Sequence, residues 1–278
     1  MAFEPGFSLL VPTDFTEKSK DALVFAASLI KERGGLIQLL HVVDSIPELK
    51  PTTIDTARSR LAEYAKEQHD ILDVTIIPNI VTGNIFDTIG ESAAKLGTNM
   101  IVMGVHGMHG IQFVIGSFAA RVILGSTIPV LLISSDLRFK GFRKIILPVD
   151  LSRKEDKLIA KAKELALQYR STIHIFSYIE ARSLIKKAIL RSKINRIAKS
   201  LKKVGIRTTS KIIYPNGSNT IENILDYSKV VDADLIMLML RSQGNTKEFI
   251  VGQAENSLIQ ESNLPLFIIN PLIEKGRP

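Results

Sequence analysis

Residues 99–121 read NMIVMGVHGMHGIQFVIGSFAAR, and this stretch decides the fold. Residues 100–103 form a short apolar run that is typical of a buried parallel strand. Four glycines come next: Gly104, Gly107, Gly110 and Gly116. A helical pattern begins at Ser117. The stretch therefore predicts a strand that leads through a glycine-rich loop into a helix.

A glycine-rich loop at this point has two interpretations. Glycine lets the backbone take φ > 0 and lets its N–H groups approach a ligand. The helix adds unpaired N–H groups and the positive end of its dipole, with Ser117 as its cap, so the loop is suited to hold phosphate. Alternatively, the connection needs glycine only to turn sharply. The loop also carries His106 and His109, and the residues leave both interpretations open.

The bulk composition predicts a globular protein with room for two domains. The chain has 278 residues, of which 45% are hydrophobic and 23% charged, and it has no cysteine. A disulfide framework and a thiolate metal site are therefore excluded. The first residues, MAFEPGFSLL, lack the basic flank and unbroken apolar core of a signal peptide, and no apolar run approaches the roughly 18 residues of a membrane span. We expect a cytoplasmic protein without a transmembrane segment.

Comparison of the chain with itself indicates a duplication. A shift of 136 positions places residues 10–14 (LVPTD) on 146–150 (ILPVD) and residues 37–41 (IQLLH) on 173–177 (IHIFS). The same shift carries Ile101 onto Met237 and Pro129 onto Pro265. This period is far above that of solenoid repeats, so each copy should be a full domain. We predict a first domain at residues 1–138 and a second at 142–278.

The first copy alternates strand and helix patterns. We predict strands at residues 8–12, 36–43, 74–81, 100–103 and 130–134, and helices at 16–31, 56–68, 84–96 and 117–124. Such alternation predicts an α/β fold with two tandem doubly wound domains, each a five-stranded parallel sheet with helices on both faces. Ligands bind such sheets at the carboxyl ends of strands where the winding reverses. Asp14 follows the first strand and Gly104 the fourth, so both should line one crevice.

The chain resembles a tandem member of the universal stress protein family over nearly all of both copies. The matching pieces are Pro12, Thr13 and Asp14 with Thr16 and Ser19, residues 40–44 (LHVVD), 83–85 (GNI), 103–107 (MGVHG), 116–117 (GS) and 128–130 (IPV). The resemblance implies a Rossmann-like fold similar to that of the adenine nucleotide alpha hydrolases. It also implies that the last strands of the two copies, residues 130–133 and 266–269, pair antiparallel. These strands are apolar on both faces and would aggregate if left as open edges.

The resemblance also implies a nucleotide site in the first copy, because some family members bind ATP or AMP through a loop written G-x2-G-x9-G-[ST]. It implies that Asp14 and Val42 hold the adenine, and that phosphates lie in the glycine loop. The implied nucleotide-binding residues are Pro12, Thr13, Asp14, Val42, Met103, Gly104, His106, Gly107, Gly116 and Ser117. Only eight residues separate Gly107 from Gly116, which favours AMP or another small adenylate over ATP. The expected ligand is ATP or AMP, with or without Mg²⁺.

The second copy departs further from the loop pattern. At the constant offset, Gly104 corresponds to Leu240 and His106 to Ser242. Likewise, Gly107 corresponds to Gln243 and Ser117 to Gln253. Side chains there would fill the space of the phosphates. We expect the second copy not to bind nucleotide and to serve structure or partner recognition instead.

A basic helix distinguishes the second copy. Residues 1–140 hold 12 Lys and Arg against 15 Asp and Glu, whereas residues 141–278 hold 24 against 13. The excess lies at Arg182, Lys186, Lys187, Arg191, Lys193, Arg196, Lys199, Lys202 and Lys203. This pattern predicts an amphipathic helix whose basic face is either simply solvated or docks nucleic acid, an anionic membrane or an acidic partner. The absence of aromatic residues from the segment argues against single-stranded nucleic acid.

Three functional hypotheses follow. The first is a regulatory stress-response protein that binds an adenine nucleotide without turnover. The second is a slow ATPase or phosphotransferase with His106 or Ser117 near the terminal phosphate, against which stands the lack of an acid, base or metal-ligand set beyond Asp14. The third is a nucleotide-free interaction scaffold. A homodimer is compatible with all three.

Overall fold

The computed structural model describes residues 6–44, 51–105, 116–134, 137–151, 155–179, 183–214, 220–240, 258–259 and 261–270. Its strands are β1 (Ser8–Pro12), β2 (Leu36–Val43), β3 (Ile76–Thr82), β4 (Met100–Val105), β5 (Val130–Ser134), β6 (Lys144–Pro148), β7 (Thr172–Tyr178), β8 (Arg207–Ile213), β9 (Leu235–Met239) and β10 (Leu266–Ile269). Its helices are α1 (Glu17–Arg33), α2 (Pro51–Leu72), α3 (Ile85–Lys95), α4 (Gly116–Gly125), α5 (Asp156–Tyr169), α6 (Leu184–Lys202) and α7 (Thr220–Val231).

All described strands belong to one sheet in the order β3-β2-β1-β4-β5-β10-β9-β6-β7-β8. Neighbouring strands are parallel except at the centre, where β5 and β10 run antiparallel. Two five-stranded parallel halves are thus joined into a continuous sheet of ten strands. The predicted α/β class and the pairing of residues 130–133 with 266–269 are confirmed.

Two hydrophobic cores cover the two faces of this sheet, because side chains of a strand alternate between its faces. On β1, Leu9 and Val11 lie in the first core and Leu10 lies in the second. Helices α1, α2, α5 and α6 pack on the first core, and α3, α4 and α7 pack on the second. In the N-terminal half, helices change face between α2 and α3. The winding of that half therefore reverses between β1 and β4.

Element boundaries differ from the predicted ones in a few places. Helix α2 begins at Pro51, five residues before the predicted start at residue 56. Proline fits the first turn of a helix, because its missing N–H is not needed there. Strand β3 begins at Ile76, two residues later than predicted. Strand β4 continues past Met103 to Val105, so it reaches into the predicted glycine loop.

The segment between the two halves is packed rather than solvated. The Phe139 ring lies 5.4 Å from that of Phe25 on α1 and 6.0 Å from that of Tyr169 on α5. Phe142 is also buried and lies 5.2 Å from Tyr169 between ring centroids. The connecting segment is therefore apolar at Phe139 and Phe142, which link α1 to α5. Residues 135–136 of this segment lie outside the described residues.

A second tie between the halves is Asn270, which directly follows β10 and is buried. Its Nδ2 donates to the carbonyl oxygens of Leu124 at 2.9 Å and of Ile123 and Ser126 at 3.3 Å each. Carbonyls at a helix C-terminus have no partner within the helix. Asn270 from the C-terminal half therefore caps α4 of the N-terminal half. Within the described ranges, no helix has the length and apolar character needed to cross a membrane.

Candidate functional site

The carboxyl end of β1 lies in a notch between two longer strands. Pro12, the last residue of β1, pairs with Leu40, and β2 continues to Val43. On the other side, β1 pairs with β4, which continues to Val105. Because both neighbours extend beyond β1, the residues that follow Pro12 line a crevice. It coincides with the reversal of winding, as the sequence predicts.

Thr13 forms the floor of this crevice and is held by two hydrogen bonds to β2. Its N–H donates to the Leu40 carbonyl at 2.8 Å. Its own carbonyl accepts a hydrogen bond from Nδ1 of His41 at 2.8 Å, so that ring nitrogen carries the proton. His41 is thus a structural, hydrogen-bonded partner of the strand end.

Asp14 lies exposed above the floor, two residues before Thr16, which is the N-cap of helix α1. Its Oδ1 accepts hydrogen bonds from the backbone N–H of Thr16 at 3.1 Å and from the Thr16 hydroxyl at 2.6 Å. Partial burial alone would raise the pKa of Asp14, but hydrogen bonds from Thr16 and Ser19 outweigh it and hold this pKa below its ordinary value. Asp14 is therefore an anionic hydrogen-bond acceptor at the mouth of the crevice.

Phe15 is a feature of the site that sequence reasoning missed. Its φ of 64° lies in the left-handed region, which aromatic residues rarely adopt. Its ring centroid lies 4.8 Å from His41 and 5.6 Å from Tyr64, and Cζ of Arg60 lies 4.2 Å over it. These contacts with β2 and α2 hold the turn that carries Asp14. The sequence carried no sign of it, because a left-handed phenylalanine is imposed by surroundings distant in the chain.

Tyr64 contacts Phe15 and lies near the same carboxylate, Asp14. Burial raises its pKa, and the nearby negative charges of Glu17, Glu67 and Asp14 raise it further. Its hydroxyl is therefore a neutral group beside an anionic one.

Gly104 has a packing role in the structure. A Cβ placed on it would lie 2.5 Å from the carbonyl oxygen of Lys18 in α1, far inside normal contact. Glycine at this position lets the first turn of α1 approach β4 and thereby brings the Asp14 turn against the end of β4. Met103 is buried in the second core, and Val42 packs against that core from β2.

The remaining predicted site residues lie at or beyond the limits of the described residues. His106 and Gly107 lie outside them, with the rest of residues 106–115. Gly116 and Ser117 are described as the first two residues of α4, but their side chains are not. The structure thus brings together Pro12, Thr13, Asp14, Val42, Met103 and Gly104 around one strand end.

The strand register corrects the correspondence between the two copies. Leu9 pairs with Met100, whereas the equivalent Ile145 pairs with Leu235. Met100 therefore corresponds to Leu235, one position earlier than the constant offset predicts. Gly104 then corresponds to Met239 and not to Leu240, since Gly104 pairs with Ile133 and Met239 with the equivalent Ile269. The prediction of one constant offset was wrong for this strand.

The equivalent strand end of the C-terminal half is closed by a buried ion pair. The Glu155 side chain is 1% exposed, and its Oε2 lies 2.6 Å from Nζ of Lys193 on α6. Its Oε1 accepts a hydrogen bond from the N–H of Asp150 at 3.0 Å, and Lys193 donates to the Asp150 carbonyl at 2.5 Å. Burial raises the pKa of Glu155, although Lys193 opposes this shift. Ser242, Gln243, Gly252 and Gln253, which the sequence comparison singled out, lie outside the described residues.

In the part of the chain that the structure describes, no three His, Asp or Glu side chains are grouped closely enough to hold a metal ion.

Comparison with known proteins agrees with this architecture. The model of the "Universal stress protein family" matches residues 8–134 and again 141–270. Universal stress protein A homolog 1 of Coxiella burnetii is 23% identical over 133 residues, which cover 44% of this chain and 92% of that protein. Universal stress protein MJ0577 of Methanocaldococcus jannaschii is 26% identical over 151 residues, which cover 45% of this chain and 93% of that protein. Each relative is thus matched by about half of this chain.

A solved structure extends the likeness to the full length. A universal stress protein from Archaeoglobus fulgidus superimposes with a TM-score of 0.74 at 22% identity, covering 96% of this chain and 97% of that one. This agreement concerns the fold. Because the family model matches two stretches that together span most of its length, the chain belongs to the universal stress protein family.

Proposed function

We propose that the chain binds an adenine nucleotide, ATP or AMP, in the crevice of its N-terminal half and acts as a nucleotide-dependent regulatory protein. The observation that carries this proposal is the anionic Asp14 carboxylate, held by Thr16 above a strand end at the reversal of winding. In open α/β sheets this position is where ligands bind.

The residues around the crevice fit the parts of an adenine nucleotide. Asp14 would accept hydrogen bonds from the amino group of adenine or from a ribose hydroxyl, and Val42 would contact the base with its aliphatic side chain. The first residues of α4, Gly116 and Ser117, offer backbone N–H groups and the positive end of a helix dipole to phosphate. By the family resemblance, Met103, Gly104, His106 and Gly107 complete the phosphate side.

The proposal places the site in the N-terminal half alone. In the C-terminal half, a methionine stands where Gly104 lies, and the Glu155–Lys193 pair occupies the strand end. That half already satisfies its own strand-end N–H of Asp150 with a carboxylate. If Mg²⁺ accompanies ATP, we expect phosphate oxygens and water to supply most of its ligands, as is usual for this ion.

The test compares Asp14→Ala with Asp150→Ala, the variant at the equivalent position of the other half. Thermal unfolding is measured with ATP or with AMP at about 100 times its dissociation constant, where binding adds roughly 2.7 kcal/mol to the free energy of unfolding. We expect one adenylate to stabilise the parent protein and Asp150→Ala, and to leave Asp14→Ala at its own ligand-free midpoint.

Two results would overturn the proposal: stabilisation of the parent by neither nucleotide, or an equal response from Asp14→Ala. Phosphate release is measured on the same samples. Release of more than one equivalent of phosphate per chain would show that the protein hydrolyses ATP and does not only bind it.

A further inference from the structure

Helix α6 has a buried side and an outward side of unusual composition. Its buried residues recur at helical spacing: Leu190, Ile194, Ile197 and Leu201. They pack into the first core over β7 and β8. The opposite side faces solvent along the whole helix. We call this side the α6 outer face.

The first half of the α6 outer face is aliphatic. Leu184 is 80% exposed, Ile185 73% and Ile189 55%, and Ala188 lies exposed between them. Single exposed aliphatic residues are common on proteins, but a cluster of them on two successive turns of one helix marks a surface that associates with something apolar.

The second half of the same face is basic. Its cations are Arg196, Lys199, Lys202 and Lys203. None of these four forms an ion pair with a residue that the structure describes. The three lysines, with Asn195 and Ala198, line a shallow depression. Residues 181–221 contain no Asp or Glu, so α6 and the segments next to it in the chain supply no negative charge to this face.

Helix α2 occupies the equivalent place in the N-terminal half and provides an internal comparison. Its outward residues mix both signs of charge, including an Arg58–Asp55 ion pair at 3.0 Å. Its one large aliphatic residue with high exposure is Ile71, at 64%. The aliphatic and basic character of the α6 outer face is therefore specific to α6 and is not required by this position in the fold.

We propose that the α6 outer face binds the surface of an anionic phospholipid bilayer, with α6 lying in the plane of the interface. Leu184, Ile185 and Ile189 enter the boundary between headgroups and acyl chains, and the lysine-lined half contacts lipid phosphates. Helices that lie on membranes combine these two features. The proposal is independent of nucleotide binding.

Other occupants fit this face less well. A second copy of the chain would bring basic faces together, and the resulting repulsion opposes α6-to-α6 pairing. Nucleic acid would neutralise the lysines but would leave the aliphatic half of the α6 outer face exposed to water. An acidic protein needs a groove shaped to a convex helix, whereas a fluid bilayer adapts to it.

The test is flotation of the full chain with vesicles at about 0.1 M NaCl, where charges act over about 10 Å. One vesicle preparation is phosphatidylcholine and the other an equimolar mixture with phosphatidylglycerol. We expect binding to the mixed vesicles only. The triple variant Lys199→Gln, Lys202→Gln, Lys203→Gln should bind about 100-fold more weakly, at roughly fivefold for each lysine. The triple variant Leu184→Ser, Ile185→Ser, Ile189→Ser should bind at least about tenfold more weakly.

The matched control is Ile71→Ser with Lys66→Gln on α2, which should bind as the parent does. All variants are first compared with the parent by thermal unfolding. Absence of flotation with the mixed vesicles overturns the proposal, as does an equal loss in the control. If only the lysine variant weakens binding, the face is a general polyanion surface, and competition by double-stranded DNA or by poly-glutamate then identifies nucleic acid or an acidic protein as its partner.

Discussion

At the residue scale, Gly104 shows how a position can be required for packing and lie at a candidate site at the same time. Its absent Cβ leaves room for the Lys18 carbonyl of α1. We expect Gly104→Ala to lower the free energy of unfolding by about 1–3 kcal/mol, because α1 must move away from β4. Urea unfolding measures this change. A loss below about 0.5 kcal/mol, the size typical of surface substitutions, would show that α1 moves without strain.

The residue that occupies the corresponding position in the other half gives a contrast. Met239 is buried in the first core, so Met239→Ala removes packed atoms and leaves a cavity. Alanine is thus too large for position 104 in one half and too small for position 239 in the other.

His174 on β7 makes stability depend on pH. It is buried, its Nδ1 lies 2.8 Å from the Thr209 hydroxyl, and its Nε2 has no hydrogen-bond partner in the described part of the chain. Burial, and then the charge of Lys144, lower its pKa. The unfolded chain therefore takes up a proton at a higher pH than the folded protein does. The stability that neutral His174 contributes is fully present above about pH 6.5, the pKa in the unfolded chain. It is lost as the pH falls from there through the lowered pKa of the folded protein.

The expected result is a loss of up to about 1.4 kcal/mol per pH unit below pH 6.5 that the variant His174→Gln does not show. Glutamine is the residue at the equivalent position of β2, where Gln38 accepts a hydrogen bond from Asn79. Urea unfolding at several pH values between about 5 and 7.5 measures the difference. Parallel pH profiles of parent and variant would contradict this assignment.

At the element scale, the Glu155–Lys193 pair joins the start of α5 to α6 and to the end of β6. Lys193→Met leaves a buried carboxylate without its cation, and such a loss costs about 3–5 kcal/mol near neutral pH. Burial already raises the pKa of Glu155, and loss of the cation should raise it further, so the deficit should shrink as the pH falls. Denaturant unfolding of the variant at pH 7.5 and 5 tests this. A deficit independent of pH would mean that Lys193 acts through packing alone.

The carboxyl ends of β1 and β6, which are equivalent in the two halves, are therefore completed by different elements. In the N-terminal half the strand end presents Asp14 to solvent, whereas in the C-terminal half a neighbouring helix covers the strand end with Lys193. This difference is the physical basis for expecting nucleotide binding in one half only, which stays a prediction.

At the scale of the whole molecule, the antiparallel contact of β5 with β10 and the aromatic cluster of the connecting segment join the halves. Phe142 is 1% exposed and packs between Phe139 and Tyr169. We expect one cooperative unfolding transition, which Phe142→Ala shifts by about 3–5 kcal/mol. Circular dichroism and hydrogen exchange of amides in β2 and β7 should report the same shift. Separate transitions for the two halves would show that this cluster does not couple them.

Much of this architecture was predictable because it is written in local patterns. The strand from Met100, the caps at Thr16 and Asn84 and the apolar residues at both last strands lie within short windows of sequence. Their hydrophobic period and capping chemistry act over a few residues, so they predicted the alternating elements, whereas the family resemblance implied the central pairing of the sheet. The placement of Asp14 at the crevice followed from strand order.

What a window of sequence does not contain is the register between strands. Side chains alternate along a strand, so a slip of one residue moves each of them to the other face. Because of the slip at β9, the residue equivalent to Gly104 is Met239 and not Leu240. Hydrogen bonding of β9 to β6 and β10 decides this register. Whether the chain forms a homodimer or lies in the cytoplasm stays a prediction.

The sequence by itself thus determined the α/β class, the duplication and the position of the candidate crevice, because periodicity, caps and strand order are local or additive properties. Only the tertiary structure decided the left-handed Phe15, the α1 approach over Gly104 and the pair of Glu155 with Lys193. Each depends on atoms that are far apart in the chain and meet only when the sheet and its helices pack together.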